Sequence, residues 1–370
     1  MFVRNRTANT SAPWTAAQDA ILSDDGYAKA HKTISGWPDY TPTPLLSLPA
    51  LAVEAGVKAL FYKDEGGRFG LGSFKALGGA YAVAELVKIQ GPDLTVCCAT
   101  DGNHGRSVAW GAQMFGCQAV IFIHENVSDA RKVAIESYGA EVKRTPGNYD
   151  ASVRIAQQTA SDEGWYVVSD TSYPGYMEVP KLVMQGYEVM AAEAFDALPA
   201  TPTHIFLQTG VGGMAAAVAA CAKRRWGDNR PTIILADPEN AACWVESYRT
   251  CAPTAVESDL ATIMAGLACG EVSLLAWEIL KDHADGAMAL PDVLAEDMMR
   301  KLASPSGNDP TIVAGESAVA GLAALMTAPP EVAITPDSFV LVFGTEAATD
   351  PDLYQKIVGG SSSTVAQSQV

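Results

Sequence analysis

Short apolar segments that alternate with longer segments of helical character run through most of the chain. The short segments are rich in β-branched and aromatic residues and carry few charges, which is typical of strands buried on both faces of a sheet. They cover residues 59–65, 95–100, 118–125, 165–170, 203–209, 231–237 and 339–345. Helical patterns lie between them, at residues 128–141, 149–164 and 179–198. The alternation predicts an α/β protein with mostly parallel sheets flanked by helices.

Length and charge limit what such a protein can be. A chain of 370 residues is too long for most single hydrophobic cores, so two domains are expected. Its 25 basic and 42 acidic residues give a net charge of −17, which argues against nucleic acid or an anionic membrane as a partner. Any anionic cofactor must then be held by local backbone geometry. No apolar segment is long enough to span a bilayer or to act as a signal peptide, so we expect a cytoplasmic protein.

Cysteine and histidine spacing gives no sign of a metal site. The seven cysteines show no Cys-x-x-Cys pair and are interpreted as reduced and mostly buried. The five histidines are scattered along the chain without the spacing of zinc ligands. We therefore expect reduced thiols and no metal centre.

One lysine stands in an otherwise small, apolar and glycine-rich stretch. In "GSFKALGGAYAV", residues 72–83, Lys75 follows Phe74 and precedes an alanine, a leucine and two glycines. These neighbours indicate a partly desolvated amine, and desolvation lowers the pKa of a lysine, as in lysines that form Schiff bases. The alternative is a lysine whose aliphatic stem lies on an apolar helix while its amine reaches water. The stretch alone leaves both interpretations open.

Three junctions at the ends of predicted strands are polar or rich in glycine. Ligands of parallel sheets bind outside the carboxyl ends of the strands, so these junctions are candidate binding sites. After residues 95–100 comes "DGNHG", a sharp polar turn that opens a helix. After residues 203–209 comes "GVGGM", residues 210–214, whose backbone N–H groups could cradle a phosphate. After the last strand comes Thr345, whose hydroxyl could meet a ring nitrogen.

Each junction also has a purely structural interpretation. Glycine-rich turns between a strand and a helix are common for packing reasons alone. Asp101 could cap the helix that follows it, and His104 could close the turn. Thr345 could be an ordinary turn residue. The combination of Lys75, the Asp-Gly-Asn turn and the glycine loop, in that order, favours a ligand site.

The motifs resemble those of one enzyme family. The segments "GSFKALGGAYAV", "ATDGNHGRSVAWGAQMFG", "SDTSYPGY", "GVGGM" and "MAGLACGE" occur in this order over nearly the whole chain. They resemble the diaminopropionate ammonia-lyases, which are fold type II pyridoxal-phosphate enzymes, like threonine and serine dehydratases and tryptophan synthase β chains. Dehydratases usually carry Ser-Gly-Asn where this sequence has Asp101, Gly102 and Asn103.

The resemblance implies how the chain is organised. A fold type II enzyme has two lobes, each built on a mostly parallel sheet flanked by helices, with the cofactor between them. We expect a large cofactor-binding domain from residues 1–75 and 191–370, and a smaller α/β domain from residues 76–190. Family members are commonly homodimers, so a homodimer that acts on a small amino acid is expected here.

The resemblance also assigns roles in binding pyridoxal 5′-phosphate. Lys75, next to Phe74, matches the lysine that holds the cofactor as a Schiff base. Asn103 matches the partner of the phenolic oxygen, and Thr345 is expected to meet the pyridine nitrogen. A hydroxyl partner polarises that nitrogen only weakly, which suits β-elimination because the leaving group carries the charge away. The phosphate loop is expected at Gly210, Val211, Gly212, Gly213 and Met214.

The implied reaction eliminates the β-amino group of 2,3-diaminopropionate as ammonia and leaves an aminoacrylate, which is hydrolysed to pyruvate and a second ammonia. Family members act on both enantiomers, which requires bases on opposite faces of the substrate, and Lys75 and Asp101 can supply them. Asp170, in "SDTSYPGY", could be a turn residue at a strand end, but the resemblance suggests that its carboxylate holds the second ammonium of the substrate. Lys75, Asp101 and Asp170 are thus the candidate catalytic residues.

Two segments depart from the family pattern. The family typically reads Gly-Glu-Pro where residues 270–272 read Gly-Glu-Val, and Thr-Glu-Gly-Asp-Thr-Asp where residues 345–350 read Thr-Glu-Ala-Ala-Thr-Asp. The cofactor assignment does not depend on these positions. Val272, Ala347 and Ala348 do leave open a different substrate, which would make the chain a dehydratase of a 3-hydroxy amino acid such as hydroxyaspartate, threonine or serine.

A third interpretation treats "GVGGM" as the turn of a nicotinamide-dependent oxidoreductase. Asp237, at the end of the strand at residues 231–237, stands where such an enzyme places a carboxylate for the ribose. The loop lacks the full Gly-x-Gly-x-x-Gly spacing because residue 215 is alanine. This interpretation also leaves Lys75 without a role.

Overall fold

The strands of the chain form two sheets. The computed structural model describes residues 1–100, 102–125, 127–147 and 149–367. The strands in these ranges are β1 (Phe2–Arg4), β2 (Leu45–Ser47), β3 (Ala59–Asp64), β4 (Thr95–Ala99), β5 (Gln118–His124), β6 (Glu141–Thr145), β7 (Tyr166–Val167), β8 (His204–Gln208), β9 (Thr232–Pro238), β10 (Gly286–Leu290) and β11 (Phe339–Gly344).

Helices connect the strands and pack on the sheets. They are α1 (Ala16–Asp19), α2 (Asp24–Ser35), α3 (Pro49–Glu54), α4 (Lys75–Gln90), α5 (Asn103–Phe115), α6 (Asp129–Glu136), α7 (Tyr149–Glu163), α8 (Glu178–Ala197), α9 (Gly213–Trp226), α10 (Cys243–Thr250), α11 (Leu274–His283), α12 (Asp292–Ala303), α13 (Ala320–Met326), α14 (Pro351–Val358) and α15 (Ser362–Gln367). No helix in the described ranges combines the length and the apolar character needed to cross a membrane.

Most strand pairs in the two sheets are parallel. The larger sheet has seven strands in the order β1-β10-β9-β8-β11-β3-β2, and its two edge strands pair antiparallel to their neighbours. The smaller sheet has four parallel strands in the order β6-β5-β4-β7. Every residue of β8 and β10 is buried, as expected for strands covered on both faces. The predicted α/β class with mostly parallel sheets is confirmed.

The sequence pattern finds the central strands and misses others. All seven predicted strands are present, although residues 165–170 contribute only the two-residue strand β7. β1 and β2 have three residues each, too few to show a pattern. β6 reads "EVKRT" and is mostly polar, and β10 reads "GAMAL", which is equally typical of a helix. The helix predicted at residues 128–141 ends at Glu136, and Gly139, with φ of +80°, turns the chain into β6.

Helices α4 and α8 pack closely beside each other. A Cβ atom at Gly78 would lie 2.4 Å from Cε1 of Tyr187, and one at Gly186 would lie 2.1 Å from the carbonyl oxygen of Leu77. Side chains at these two positions would therefore separate the helices. The contact holds the beginning of α4, where Lys75 stands, against α8.

The division into sheets follows the chain. All four strands of the smaller sheet fall between residues 76 and 190, and all seven strands of the larger sheet fall outside that range. Helix α8 crosses the expected boundary at residue 190. One core cluster contains buried residues from both sheets, such as Ile121 and Leu207. The domain boundaries themselves therefore stay a prediction.

Candidate active site

A cleft opens at the carboxyl ends of the parallel strands. It encloses about 1080 Å³, including the space at its mouth, and residues that follow β4, β7, β8 and β11 line it together with the start of α4. The sequence-predicted residues that line it are Phe74, Lys75, Asn103, Asp170, Gly210, Val211, Gly212, Gly213, Met214 and Thr345. Asp101, the remaining candidate, lies outside the described residues. The described candidates thus share one cleft, and their chemical roles stay predictions.

Lys75 is the first residue of α4 and forms an ion pair with Asp170. Its side chain is 19% exposed, and its Nζ lies 5.3 Å from the centre of the Phe74 ring and 5.8 Å from that of Tyr187. Burial lowers the pKa of Lys75, but the Asp170 carboxylate reverses this effect and raises the pKa above its usual range. The lowered pKa expected from the sequence is therefore wrong, because the sequence does not reveal the ion-pair partner.

Asp170 is held as a carboxylate by its neighbours. Burial raises its pKa, yet the Lys75 ammonium lowers that pKa below the usual range of an aspartate. His104 lies next to this pair, and burial lowers the pKa of its ring, so the imidazole is neutral. Its Nε2–H donates to the carbonyl of Val168 (2.7 Å). His104 thereby ties the start of α5 to the segment that carries Asp170, which is a tertiary contact and not the closure of its own turn.

The glycine loop between β8 and α9 forms part of the cleft wall and leads into a helix N-terminus. Gly212 has φ of +98°, and a Cβ atom there would lie 2.2 Å from Cζ2 of Trp244, so only glycine fits. The indole Nε1–H of Trp244 donates to the carbonyl of Gly210 (3.0 Å), which fixes the loop against a buried ring. Helix α9 begins at Gly213 without a cap from any described side chain. Its first N–H groups are therefore available to a phosphate bound in the cleft.

Thr345 follows β11 and is 3% exposed. Its Oγ1 accepts a hydrogen bond from Nε2 of Gln208 (2.7 Å), and the same amide donates to the carbonyl of Phe343 (2.8 Å). Because the oxygen of Thr345 accepts this hydrogen bond, its own O–H is left to donate one, as an unprotonated ring nitrogen requires. Sequence reasoning missed Gln208, although a polar residue at the end of an apolar strand was a visible signal.

Glu346 and Arg131 are two charged residues of the cleft that sequence reasoning also missed. The carboxylate of Glu346 accepts hydrogen bonds from the side chain of Asn103 and from the N–H of Ser317 (3.1 Å). The sequence did contain a signal for Glu346, because in "TEAATD" a charged residue closely follows a buried strand. Arg131 offers no such signal, because it reaches the cleft from α6 through tertiary packing.

Arg131 connects α6 to two segments near the larger sheet. Its Nη2 lies 3.1 Å from Oε1 of Glu316, and its Nε lies 3.6 Å from Oδ2 of Asp350. Burial and the nearby Glu346 raise the pKa of Glu316 to about 8; Asp350 adds to the shift and Arg131 opposes it. Arg131 thus donates a hydrogen bond to the carboxyl group of Glu316 and lies near the carboxylate of Asp350.

The residues that depart from the family pattern are not among the described residues that line the cleft. Val272 is 7% exposed and belongs to a hydrophobic core cluster. Ala347 donates its N–H to the carbonyl of Gly72 (2.9 Å), and Ala348 packs against a second core cluster. The departures therefore leave the described lining of the cleft unchanged.

Asp237 has a structural role. It is fully buried, and its carboxyl group accepts hydrogen bonds from Oγ1 of Thr209 and from the N–H groups of Trp244 (2.9 Å) and Val245 (3.1 Å). Burial raises its pKa to about 7. Asp237 therefore holds the start of α10 and does not face a ribose, which removes the main support for a nicotinamide-dependent oxidoreductase.

One cysteine, Cys269, lines the cleft. The seven cysteines form no disulfide, and four of them are buried. Across the described ranges, no group of three or more His, Cys, Asp or Glu side chains is placed to hold a metal ion.

The fold and the cleft define a class of enzymes. Residues 37–344 match the family described as pyridoxal-phosphate dependent enzyme. The chain is 40% identical over 365 residues to diaminopropionate ammonia-lyase of Escherichia coli (strain K12), with 91% of each chain covered. It is 36% identical over 358 residues to diaminopropionate ammonia-lyase of Salmonella typhimurium (strain LT2), with 87% of this chain and 89% of that protein covered. The chain therefore belongs to the diaminopropionate ammonia-lyase family, as its motifs predict.

Solved structures agree with this assignment. Diaminopropionate ammonia lyase from Escherichia coli, in complex with an aminoacrylate-PLP azomethine reaction intermediate, has a TM-score of 0.89 at 37% identity, and the match covers 97% of this chain and 96% of that one. Maize serine racemase, at 21% identity, has a TM-score of 0.77 over 90% of this chain and 96% of its own, which shows the fold alone. The predicted fold type II and the cofactor pyridoxal 5′-phosphate are confirmed. The glycine cradle, the uncapped start of α9 and the cleft lysine fit that cofactor.

Proposed function

We propose that this chain removes the β-amino group of 2,3-diaminopropionate by elimination and the α-amino group by hydrolysis, so that one molecule of water is consumed and pyruvate and two molecules of ammonia are released. The observation that carries the proposal is the state of the charges in the cleft. The carboxylates of Asp170 and Glu346 line it, whereas its cationic groups, Lys75 and Arg131, are each paired with a carboxyl group within the described part of the chain. A substrate with two ammonium groups and one carboxylate is complementary to such a cleft.

The dehydratase alternative fits these charges less well. A hydroxyaspartate would need a cation for its second carboxylate, and Arg131 is engaged by Glu316 and Asp350. Threonine and serine would leave the carboxylate of Asp170 without a cationic partner once Lys75 is used by the cofactor, and an unpaired buried charge is costly. Serine is still worth testing, because the Escherichia coli enzyme has been solved in complex with D-serine.

Different residues of the cleft have different roles in binding the cofactor and in shielding the amine of Lys75. When bound, pyridoxal 5′-phosphate supplies an electron sink for the carbanion formed at the α-carbon. The N–H groups of the glycine loop would hold its phosphate, and the O–H of Thr345 would donate to its ring nitrogen. The rings of Phe74 and Tyr187, which contact each other at 4.7 Å between centres, cover the amine of Lys75 and limit its access to water.

Proton transfer falls to the amine of Lys75 and the carboxylates near it. Lys75 takes the α-proton from one face of the substrate, and Asp101 takes it from the other face. Asp170 holds the β-ammonium in its protonated form, so that it departs as neutral ammonia when the bond to the β-carbon breaks. The support for Asp170 is its contact with Lys75 and its lowered pKa. The support for Asp101 is its place in the family motif.

Assembly and location complete the proposal. We infer a homodimer in the cytoplasm, and the support for both is the resemblance to the family. Analytical ultracentrifugation of the holoenzyme tests the first inference, since a monomer at micromolar concentration would contradict it.

The proposal is tested with a panel of substrates. The panel holds D- and L-2,3-diaminopropionate, serine, threonine and 3-hydroxyaspartate, and both keto acid and ammonia are measured. Diaminopropionate should release two molecules of ammonia for each pyruvate, whereas a hydroxy amino acid releases one for each keto acid. We expect kcat/KM for diaminopropionate to exceed the others by about 100-fold or more. A hydroxy amino acid that turns over faster would replace this substrate.

Asp170→Asn tests the role of the carboxylate in that preference. It keeps the shape of the side chain and removes its charge, so the preference for diaminopropionate over serine should fall about 10- to 100-fold. Asp309→Asn is the matched control, because Asp309 is 7% exposed, lies outside the cleft and accepts from the N–H groups of Ala50 (2.8 Å) and Leu51 (2.9 Å). It should leave the preference unchanged. An equal change in both variants would contradict the assignment.

A further inference from the structure

Two side chains from segments next to different sheets contact each other at the wall of the cleft. Asn103 begins α5, which packs on the smaller sheet, and Glu346 follows β11 of the larger sheet. Nδ2 of Asn103 donates to Oε2 of Glu346. Both residues line the cleft, and Glu346 is only 5% exposed. The contact therefore lies where a bound cofactor would meet the amide of Asn103.

The carboxylate of Glu346 is fixed on several sides. Its Oε1 accepts from the N–H of Ser317 (3.1 Å), and its Oε2 also accepts from the hydroxyl of Thr349 (3.4 Å). Its backbone forms an antiparallel bridge with Ser73, and its carbonyl accepts from the N–H of Gly315 (3.0 Å). These contacts hold the carboxylate in place independently of Asn103.

The close approach of Gly315 restricts this carboxylate further. A Cβ atom at Gly315 would lie 2.9 Å from Oε1 of Glu346 and 2.5 Å from the carbonyl oxygen of Ala347. A side chain at residue 315 would therefore displace this carboxylate, and the glycine lets the two segments pack closely.

An asparagine amide can face its neighbours in two ways that differ by exchange of oxygen and nitrogen. A carboxylate only accepts hydrogen bonds, so it selects the orientation in which the NH₂ group of Asn103 faces Glu346. That group has two N–H bonds, and Glu346 takes one of them. The other remains for an acceptor in the cleft.

We propose that Glu346 is a positioning residue that sets the orientation of the Asn103 amide and so presents its second N–H to the phenolic oxygen of the bound cofactor. The inference rests on the proposed function through the role of Asn103, and it does not depend on the identity of the substrate. A reversed amide would present its oxygen to the phenolic oxygen, and two acceptors would then face each other.

The test is a double-mutant cycle read by cofactor binding. The holoenzyme is stripped of cofactor, and the dissociation constant for pyridoxal 5′-phosphate is measured for the wild type, Glu346→Gln, Asn103→Ala and the double variant. Glu346 accepts hydrogen bonds from the N–H groups of Asn103 and Ser317, one on each carboxylate oxygen. A glutamine has only one side-chain oxygen, so its NH₂ group would face one of these two donors and lose that hydrogen bond. We expect each single variant to raise the dissociation constant about tenfold and the double variant to raise it no further.

A pH titration of the absorbance of the bound cofactor gives a second readout. An N–H that donates to the phenolic oxygen favours its anion, so the titration should move to higher pH in Glu346→Gln. Replacing a residue that only stabilises the fold would leave the pH of this absorbance titration unchanged. If Glu346→Gln fails to fold, as judged by urea denaturation, Glu346→Asp takes its place, because it withdraws the carboxylate from Asn103 by one methylene and keeps the charge.

Glu316→Gln is the matched control, because Glu316 is a buried carboxyl group near Glu346 with no hydrogen bond to Asn103 among the described contacts. It should leave the absorbance titration and the dissociation constant close to those of the wild type. The proposal is overturned by unchanged binding in Glu346→Gln, by additive losses in the cycle, or by an equal effect of Glu316→Gln. If the enzyme does not act on diaminopropionate but the double-mutant cycle gives the expected dissociation constants, only the proposed substrate is contradicted.

Discussion

Replacing Gly212 by alanine should damage both the fold and the binding of the cofactor. Gly212 has φ of +98°, and the added Cβ would lie 2.2 Å from Cζ2 of Trp244. The indole ring cannot easily move away, because Trp244 is fully buried and its Nε1–H donates to the carbonyl of Gly210 (3.0 Å). The glycine loop must therefore shift, and its N–H groups move with it.

The size of the effect follows from two separate costs. A left-handed backbone costs an L-residue about 1–2 kcal/mol relative to glycine. Overpacking a filled core costs about 1–3 kcal/mol. The free energy of unfolding should thus fall by about 2–5 kcal/mol in Gly212→Ala. Gly56 is a control for the backbone cost alone. It also has a positive φ, of +67°, but no atom lies within 4 Å of its ideal Cβ position, so an added methyl group would not be overpacked. Gly56→Ala should lose only the backbone part.

Urea denaturation of both variants without cofactor measures the two losses. A cofactor titration then shows whether the displaced loop still binds, and we expect the dissociation constant of Gly212→Ala to rise at least tenfold while that of Gly56→Ala is unchanged. The reasoning is refuted if Gly212→Ala is as stable as Gly56→Ala and binds the cofactor as the wild type does.

Three further predictions concern single side chains of the site. Lys75→Ala should lose the covalent attachment of the cofactor and keep weak binding through the phosphate loop; borohydride reduction followed by mass spectrometry would reveal any attachment that persists. Asp101→Asn keeps the size and capping ability of the aspartate but lacks the base, so turnover of D-diaminopropionate should fall by roughly 10²–10⁴ and that of the L enantiomer much less. Equal losses for both enantiomers would contradict a base on one face. Glu316, whose folded pKa is raised from 4.5 to about 8, favours the folded state when protonated, so its contribution is complete below pH 4.5 and is lost as the pH rises through 8. Glu316→Gln should flatten the fall in the free energy of unfolding across that range, measured by urea denaturation, and an unchanged slope would count against the raised pKa.

The sequence predicts a strand when its side chains carry the signal themselves. β8 and β10 are both fully buried, but "HIFLQ" has the aromatic and branched residues typical of a strand, and "GAMAL" has small ones. The small residues have a tertiary cause, since a Cβ atom at Gly286 would lie 2.5 Å from the ring of Phe2 in the neighbouring strand. No local pattern contains that reason.

In the site, too, the sequence identifies single residues but not the partners with which they form ion pairs and hydrogen bonds. Lys75 and Asp170 are both apparent from motifs, yet their ion pair, which reverses the expected pKa of the lysine, depends on how two distant segments meet. Asn103 is likewise apparent from its motif, and its partner Glu346 is not, because a charge after a strand has many uses. Motifs therefore identify which residues take part, and packing decides the state in which each one is held.

The acidic character of the chain favours a phosphate site built from backbone, as proposed for the glycine loop. With a net charge of −17, a phosphate gains little from the protein as a whole. The cations among the described residues that line the cleft are Lys75 and Arg131, and both are paired with carboxyl groups. The N–H groups at the start of α9 supply a local positive potential that needs no charged side chain. The carboxylates of the cleft thus stay free of a competing cationic cluster, so one cleft can hold an anionic cofactor and a substrate with two ammonium groups.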